Sequence, residues 1–209
     1  MNDGNSFNID LHVHTAKHSE CAESLDPARL GEFAARTAIN GIVITEHDTL
    51  WNETDFAILK KQSDDILLLN GIEVTTKRGY HLVIIGIDEC GPLQKGIPCD
   101  DAINYAHEKG AVAILAHPFR NGLPPLKIIT LLDAIEIGST SLYRSEAELS
   151  RHLAESLNKP CIASSDAHAL TMIGWAYTGF PEKPEDILHL CAMIREGRGI
   201  PILPHPFFA

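Results

Sequence analysis

The sequence predicts an α/β fold in which a largely parallel sheet is covered by helices and closes into a barrel. Segments of strand length and helix length alternate along the 209 residues. The predicted strands are continuous apolar runs, as expected when both faces of a sheet are buried. Polar side chains that can bind metals lie at the ends of these strands. Barrel active sites form at the carboxyl ends of the strands, so these side chains predict a site there.

The first half of the chain contains four predicted strands and two helices. Asp26 is the expected N-cap of the first helix, with Pro27 at its first position. The last two strands in this half flank a turn at 77–79, and they either pair as a hairpin or lie as neighbours. The predicted elements are a strand at 7–13, a helix at 26–39, a strand at 41–45, a helix at 51–63, and strands at 66–74 and 81–87.

The second half continues the alternation, with Gly110 and Gly197 ending two of its helices. Its elements are a helix at 100–109, a strand at 111–115, a loop at 121–125, a strand at 134–137, a helix at 145–158, a strand at 161–164 and a helix at 184–196. No repeat or linker divides the chain, so residues 1–209 are predicted to form one domain. About seven strands suit either a closed barrel or a doubly wound sheet. The polar residues favour the barrel, because closure brings the strand ends together over one mouth.

Composition places the chain among ordinary globular proteins, with 44% hydrophobic and 22% charged residues. The net charge of -11 argues against broad electrostatic binding to nucleic acid or anionic membranes, although bound divalent ions would offset it locally. Five cysteines without a CxxC pair fit reduced thiols. With no apolar signal core in residues 1–6 and no run of membrane-spanning length, a cytoplasmic location and no membrane partner are expected.

Nine side chains are candidate metal ligands, and most follow an apolar strand. The His-x-His pair of the first strand lies on one face, because side chains in a strand alternate. Imidazole and carboxylate ligands suit Zn²⁺, Mn²⁺ or Fe ions. One tetrahedral ion takes four ligands, so nine predict two or three ions. The candidates are His12, His14, Glu20, His47, Glu73, His81, His117, Asp166 and His168.

Each of these segments also has a simpler interpretation as a cap, a turn or an exposed strand end. What they share is their location after a predicted strand, and this makes a common site the better interpretation. Most of the candidates fall in four short motifs. In chain order these are Asp10-x-His12-x-His14, Thr45-Glu46-His47-Asp48, Ala116-His117-Pro118 and Ser165-Asp166-Ala167-His168.

These four motifs resemble the signature motifs of the PHP (polymerase and histidinol phosphatase) family, over residues 9–168. The resemblance implies a distorted (β/α)₇ TIM-like barrel with two or three divalent ions (Mn, Zn or Fe, with Mg as a further possibility). It also implies a phosphoesterase. This chain departs from the family in having Glu46 where aspartate is usual, and His18-Ser19-Glu20-Cys21 where Ser-Asp-Gly is usual.

By this resemblance the ligands divide into three groups. The first ion takes His12, His14, Glu73 and Asp166. The second takes Glu73, His81 and His117, so that Glu73 is shared. The third takes His47 and His168 with an acidic or histidine residue after the first motif, for which Glu20 is the choice and His18 the rival.

The expected chemistry is hydrolysis by a metal-activated water, whose pKa falls from 15.7 toward about 7. Arg120, three residues after His117, is a candidate phosphate contact, with a surface arginine as the alternative. Asp10 and Asp48 are candidates for orienting imidazoles. The histidines in predicted helices and His205 in the C-terminal tail are not expected to be ligands.

The sequence therefore predicts a metal-dependent phosphoesterase acting on a small phosphomonoester, such as a nucleotide or a sugar phosphate. There is no room for a large inserted domain between Glu73 and His117, which favours a small substrate. The alternatives are a nuclease or oligonucleotide-end phosphoesterase, for which nucleic acid is a substrate only, and a catalytically silent metal-binding regulatory module. The exact substrate, the metal used in vivo and the oligomeric state remain open.

Overall fold

The computed structural model describes residues 6–204, which contain one nine-stranded sheet. The strands are β1 (Phe7–Val13), β2 (Gly41–His47), β3 (Leu67–Thr75), β4 (His81–Ile85), β5 (Val112–Leu115), β6 (Ala134–Glu136), β7 (Cys161–Ile162), β8 (Tyr177–Phe180) and β9 (Ile200–Ile202). The α-helices are α1 (Leu30–Ala34), α2 (Glu53–Gln62), α3 (Cys99–Glu108), α4 (Leu126–Ile129), α5 (Arg144–Ser156) and α6 (Ile187–Arg195). Three short 3₁₀ helices span Glu20–Ala22, Pro27–Arg29 and Leu170–Met172.

The sheet is mixed, in the order β7-β6-β5-β4-β3-β2-β1-β8-β9. Strands β1 to β3 are parallel, as are β5 to β7, but β4 is antiparallel to both of its neighbours. The hairpin interpretation of β3 and β4 is therefore correct. Because β4 runs in the opposite direction, its first residue, His81, pairs with Thr75 at the end of β3. His81 is thus at the barrel mouth as the first residue of its strand, whereas most of the other candidates lie at or after the last residue of theirs.

The sheet nearly closes on itself where the segment after β7 contacts β1 and β8. Val13 and Ala167 form a parallel bridge, and His14 N donates to Ala167 O at 3.0 Å. On β8, the Thr178 hydroxyl accepts from Ala163 N and donates to Ala163 O. These contacts give the nearly closed, TIM-like barrel that the sequence predicts, and they exclude an open doubly wound sheet.

The lower end of the barrel is filled by α6, whose buried side chains pack against the inner face of the sheet. Cys191 Sγ lies 3.1 Å from Ile85 O, at the end of β4 away from the mouth. The α6 cluster includes Leu190, Met193 and Ile194, all of which are essentially buried. With the bottom closed by apolar packing, polar chemistry is confined to the opposite end. Within residues 6–204, no helix is both long enough and apolar enough to cross a membrane.

Some element boundaries differ from the prediction. Asp26 caps as expected by accepting from Ala28 N, but the helix predicted at 26–39 is a 3₁₀ turn followed by α1, which ends at Ala34. The Thr37 hydroxyl donates to Ala34 O and occupies a carbonyl group at the helix end. Two short antiparallel strands, β8 and β9, were not predicted, so the described chain has nine strands rather than about seven. His205 lies outside the described residues.

Candidate metal centre

Glu73 is the centre of a buried cluster of imidazoles at the barrel mouth. Its side chain is fully buried. Oε1 lies 2.8 Å from His81 Nδ1 and 2.9 Å from His117 Nε2, while Oε2 lies 2.8 Å from His47 Nδ1. These rings come from β2, β4 and the turn after β5. The expected convergence of residues from separate strands is therefore confirmed.

His12 and His14 lie between Glu73 and a second buried carboxylate, Asp166. His12 Nε2 is 3.5 Å from Glu73 Oε2 and 3.4 Å from Asp166 Oδ1. His14 Nε2 is 3.3 Å and 3.2 Å from the same two oxygens. His168 approaches from the rim, with Nδ1 at 3.6 Å from Asp166 Oδ1 and its ring centre 4.4 Å from that of His14. The two imidazoles of the His-x-His pair thus bridge two carboxylates.

A register shift in β1 turns this pair toward the centre. Ile9 and Leu11 pack in the core on the inner face, so strict alternation would point His12 away from it. The pairing of β1 with β2 shifts between Asp10 and Val13. Such irregularities re-aim side chains and are common beside active sites.

Four overlapping groups of three ligand atoms lie close enough to hold ions, with all the ligand atoms in a group within 4.8 Å of one another. The groups are His14, His47 and His168; His12, His14 and Glu73; His12, His117 and Asp166; and His47, Glu73 and His81. Eight of the nine predicted ligands take part. Glu20 takes part in none of the four; it is exposed on the first 3₁₀ helix.

The side chains themselves fit divalent ions. Glu73 Oε2 and both carboxylate oxygens of Asp166 are buried without a hydrogen bond from the described residues. His12 Nε2 and His14 Nε2 face each other at 3.1 Å. A hydrogen bond between them needs a proton on one nitrogen and a lone pair on the other. Buried acceptors that face one another are costly unless a cation lies among them. The donor set of nitrogen and carboxylate oxygen suits Zn²⁺, Mn²⁺ or Fe ions.

Burial and charge set the protonation of this cluster. For His12, burial lowers the pKa, but Asp166, Glu73 and Glu136 together hold it well above its usual value. Burial beside His12 lowers the pKa of His14 to about 4. Burial would raise the pKa of Glu73, yet His12 and the other imidazoles hold it well below the usual range. Near neutral pH, Glu73 is ionised and His14 is neutral, both in ligand form, whereas His12 must lose a proton first.

Glu136, which was not among the predicted site residues, holds two of the candidate ligands in place. It is buried at the end of β6, and its Oε1 lies 3.2 Å from His12 Nδ1. Oε2 accepts from the backbone N–H of His117 at 2.7 Å, and the Ser164 hydroxyl donates to Oε1. Glu136 therefore leaves His12 Nε2 facing the centre. Its position at the end of an apolar strand is the same signal that marked the other candidates, but it fell inside the strand predicted at 134–137.

Asp10 and Asp48 contact backbone N–H groups around the mouth. Asp10 accepts from Ser165 N at 2.8 Å and Gly174 N at 3.0 Å, and Asp48 accepts from Thr75 N at 2.6 Å. Their side chains therefore fix backbone segments around the mouth instead of orienting imidazoles. Burial raises the pKa of Asp10 to about 6. In this structure, the carboxylate that orients a ring is Glu136.

Backbone strain is concentrated at the same end of the barrel. Of the five non-glycine residues with positive φ among those described, four lie after strands at the mouth: Asp48 (53°), His117 (27°), Phe119 (74°) and Asp166 (51°). The fifth, Asn158, lies after α5. Such conformations cost about 1–3 kcal/mol each and cluster at functional sites.

Arg120 lies on the rim of this centre. Its side chain is 49% exposed, with Nη1 at 3.8 Å from Asp166 Oδ2 and 3.0 Å from the Ser141 hydroxyl oxygen. The guanidinium is thus held at the boundary between the buried ligands and solvent. A substrate anion that approached the ligands would meet it.

Known proteins share parts of this chain and its fold. A family model described as PHP-associated matches residues 144–198. An uncharacterized protein of Methanocaldococcus jannaschii is 27% identical over 120 residues, which cover 53% of this chain and 67% of that protein.

Solved structures of low sequence identity share the architecture. PsfC from Pseudomonas syringae aligns with a TM-score of 0.70 at 17% identity, over 97% of this chain and 93% of its own. A protein assigned as a metal-dependent phosphoesterase from Bifidobacterium adolescentis gives 0.60 at 15% identity, over 78% and 88%. The lesion-specific endonuclease Q from Pyrococcus furiosus gives 0.62 at 15% identity, over 91% of this chain but 56% of that protein.

The fold and the site together define a TIM-like barrel with a histidine and carboxylate centre at its mouth. The four sequence motifs resemble those of the PHP family, and the PHP-associated family model matches residues 144–198 of this chain.

Proposed function

We propose that this protein is a metal-dependent phosphoesterase that hydrolyses a small phosphomonoester. The observation that carries the proposal is the pair of buried carboxylates, Glu73 and Asp166, whose unpaired oxygens face imidazole nitrogens. A structural role would pair those oxygens with hydrogen-bond donors, as it does elsewhere in this molecule.

The proposed ligand set contains two or three divalent ions with Glu73 shared. When bound, such ions supply positive charge for phosphoryl oxygens and a nucleophilic water at neutral pH. His47 Nδ1 lies 2.8 Å from Glu73 Oε2. His47 is therefore close to the carboxylate proposed for the first two ions, although the family resemblance assigns His47 to the third. His168 lies with His14 and His47 as the outermost group, which is the proposed place of a third ion. Glu20 remains the proposed acidic partner there, with His18 as its rival.

Two further residues have proposed roles: Arg120 in binding the phosphate and Glu136 in orienting the ligands. Arg120 donates to the phosphate from the rim, where its Nη1 already lies near Asp166. Glu136 keeps the Nδ1 proton of His12 occupied and holds the His117 turn. Because His12, His14, Glu73 and Asp166 are essentially buried, their charges act with little screening by solvent.

The size of the substrate is proposed from the chain itself. Between Glu73 and His117 the structure has only the end of β3, β4, α3, β5 and their connections, the longest of which is residues 86–98, so no inserted domain covers the mouth. A nucleotide or sugar phosphate fits this setting. The likeness in fold to endonuclease Q keeps a nuclease or an oligonucleotide-end phosphoesterase as the second candidate. The net charge of -11 favours the small substrate over the polymer.

The test is a turnover screen with Mn²⁺, Zn²⁺, Mg²⁺ and Fe²⁺ added separately to chelator-stripped protein. Its substrates are nucleoside monophosphates, sugar phosphates and short oligonucleotides with a terminal phosphate or an abasic lesion. We expect metal-dependent release of phosphate from the small esters, and its loss in Asp166→Asn, which keeps side-chain size but removes the charge. Faster turnover of the oligonucleotides would replace the small substrate with the polymer. Undiminished turnover under exhaustive chelation would overturn the metal-dependent mechanism.

A further inference from the structure

A cavity of about 190 Å³ lies at the turn that joins β3 and β4, the strands that carry Glu73 and His81. Its wall is formed by the turn joining these strands, by the start of α3 and by the segment that enters α4. Three cationic side chains line it: Lys77, Arg78 and Lys127. We call this the basic cavity.

The local charge of the basic cavity is opposite in sign to the net charge of the molecule. Its three cations face one carboxylate, Asp100, in a chain whose net charge is -11. None of the three forms an ion pair in residues 6–204, whereas Lys17 and Lys109 each pair with an acidic side chain. Burial and the nearby Asp100 raise the pKa of the Cys99 thiol in the wall to about 11, so this thiol adds no negative charge. The cavity is therefore cationic, and its cations form no ion pair with any residue that the structure describes.

The position of the cavity ties it to the candidate centre. Thr76 in its wall directly follows β3, and Tyr80 directly precedes His81. Thr76 is three residues beyond Glu73, which corresponds to about 10 Å along an extended chain. Lys127 in α4, which also lines the cavity, follows Arg120 by only a few residues along the chain. A ligand with one anion at the metal centre could therefore place another in the cavity.

The frame that carries the cations is rigid. Thr76 donates from its N–H and its hydroxyl to Tyr80 O, at 2.9 and 2.8 Å, and Gly79 N donates to Thr76 O. Lys77 N donates to Ile97 O at 2.9 Å, which fixes the turn against the segment before α3. Two of the three cations are thus carried on a turn whose backbone is already ordered, so binding an anion orders only their side chains.

We propose that the basic cavity binds a second anionic group, a phosphate or a carboxylate, of the substrate whose phosphate is hydrolysed at the metal centre. This inference rests on the proposed function, and it narrows the substrate class from phosphomonoesters in general to those with two separated anions. Unpaired cations on a fixed frame bind such groups through charge-assisted hydrogen bonds.

The first test measures binding without turnover. Inorganic phosphate is added to the full-length, Zn²⁺-loaded protein, and backbone amide shifts are followed by NMR. We expect shifts at Lys77, Arg78 and Lys127. The triple variant Lys77→Ala/Arg78→Ala/Lys127→Ala should lose the response at the remaining cavity amides while His47 and His168 still respond. The control is Lys61→Ala, an exposed lysine without an ion pair that lines no described cavity. Unchanged cavity amides, or an equal response in the triple variant, would refute the subsite.

The second test compares matched substrates. Fructose 1,6-bisphosphate is compared with fructose 6-phosphate, which tests a second phosphate. The compound 3-phosphoglycerate is compared with glycerol 3-phosphate, which tests a carboxylate. We expect the two-anion member of at least one pair to have a higher kcat/KM, and Lys127→Glu to reduce that preference by about tenfold. Lys61→Ala should leave it unchanged. Equal preference in Lys127→Glu and wild type would overturn the proposal.

The two tests separate the failure of this inference from that of the proposed function. Phosphate shifts at the cavity without turnover of any ester would retain the subsite and reject the phosphoesterase. Turnover with no preference for a second anion would retain the phosphoesterase and reject the subsite.

Discussion

Two buried glutamates on neighbouring strands, Glu46 on β2 and Glu73 on β3, have opposite surroundings. Glu46 accepts from Thr15 N at 3.0 Å, from the Ser19 hydroxyl at 2.5 Å and from Trp51 Nε1 at 2.9 Å, and the Thr15 hydroxyl also donates to it. All of these donors are neutral groups with a proton to give. Glu46 is therefore saturated and holds the first motif loop in place.

Glu73 has imidazoles where Glu46 has fixed donors. Three rings lie within 2.9 Å of its oxygens, and Oε2 has no hydrogen bond of good geometry. An imidazole gives a proton or accepts one, so this arrangement is left open to a cation. The difference teaches that burial does not separate a structural carboxylate from a ligand, since both glutamates are fully buried, and that the partners do.

The largest expected effect comes from exchanging each glutamate for glutamine. Glu73→Gln should lower metal content and reduce turnover by at least about 100-fold, because it removes the shared anionic ligand. Glu46→Gln should keep the metal but lose about 1–3 kcal/mol of unfolding free energy, since the new amide N–H₂ faces donors. Metal analysis and urea unfolding of both variants check this. If both variants lost metal to the same degree, the distinction between the two sites would be wrong.

Glu136 lies between these two cases, because its partners are one imidazole, one backbone N–H and one hydroxyl. Glu136→Gln should lower metal affinity by about 10–100-fold, as expected for a group that orients a ligand. Ser164→Ala is the matched control, since it removes only the hydroxyl donor. Competition with a chromogenic chelator measures the affinities. If Ser164→Ala had as large an effect as Glu136→Gln, the contact with His12 would not be the cause.

Metal binding should weaken as the pH falls. Burial opposes a charge on His12, but its carboxylate neighbours raise its pKa, so the ring carries a proton below that raised pKa and must lose it to bind an ion. His14, with a pKa of about 4, is already neutral at pH 7 and releases none. Affinity should therefore rise by about tenfold per pH unit while His12 remains protonated. Calorimetry in buffers of different ionisation enthalpy should detect about one released proton per chain near pH 7. An affinity that rose on acidification would contradict this sign.

The parts of the site that could be predicted from the sequence follow one rule, a ligand-type residue beside the end of an apolar strand. His12, His47, Glu73, His117 and Asp166 obey it, and the structure brings them together. What the sequence could not give is the identity of hydrogen-bond partners between distant segments. Asp10 was expected to meet an imidazole, yet it meets Ser165 N and Gly174 N, more than 150 positions away.

The exact boundaries of the elements and the short strands β8 and β9 also could not be predicted from the sequence pattern. Tyr177–Phe180 and Ile200–Ile202 are four and three residues long, too short for a clear alternation. Their pairing depends on β1 lying beside β8, a contact between the beginning and the end of the chain. Whether β3 and β4 pair as a hairpin was also left open, because a short turn at 77–79 shows that the two strands are close but not that their backbones pair.

The smallest expected effect concerns the rim, where Arg120 is half exposed. Arg120→Ala should raise KM by about fivefold and leave metal content unchanged, because solvent screens an exposed contact to about 1 kcal/mol. Arg120→Lys should restore part of the loss, since it keeps the charge without the planar fork. Steady-state kinetics on a phosphomonoester, with metal analysis of the same samples, checks both. Loss of metal in Arg120→Ala would mean that the guanidinium holds Asp166 in place, and it would move Arg120 from the substrate side of the mouth into the ligand cluster.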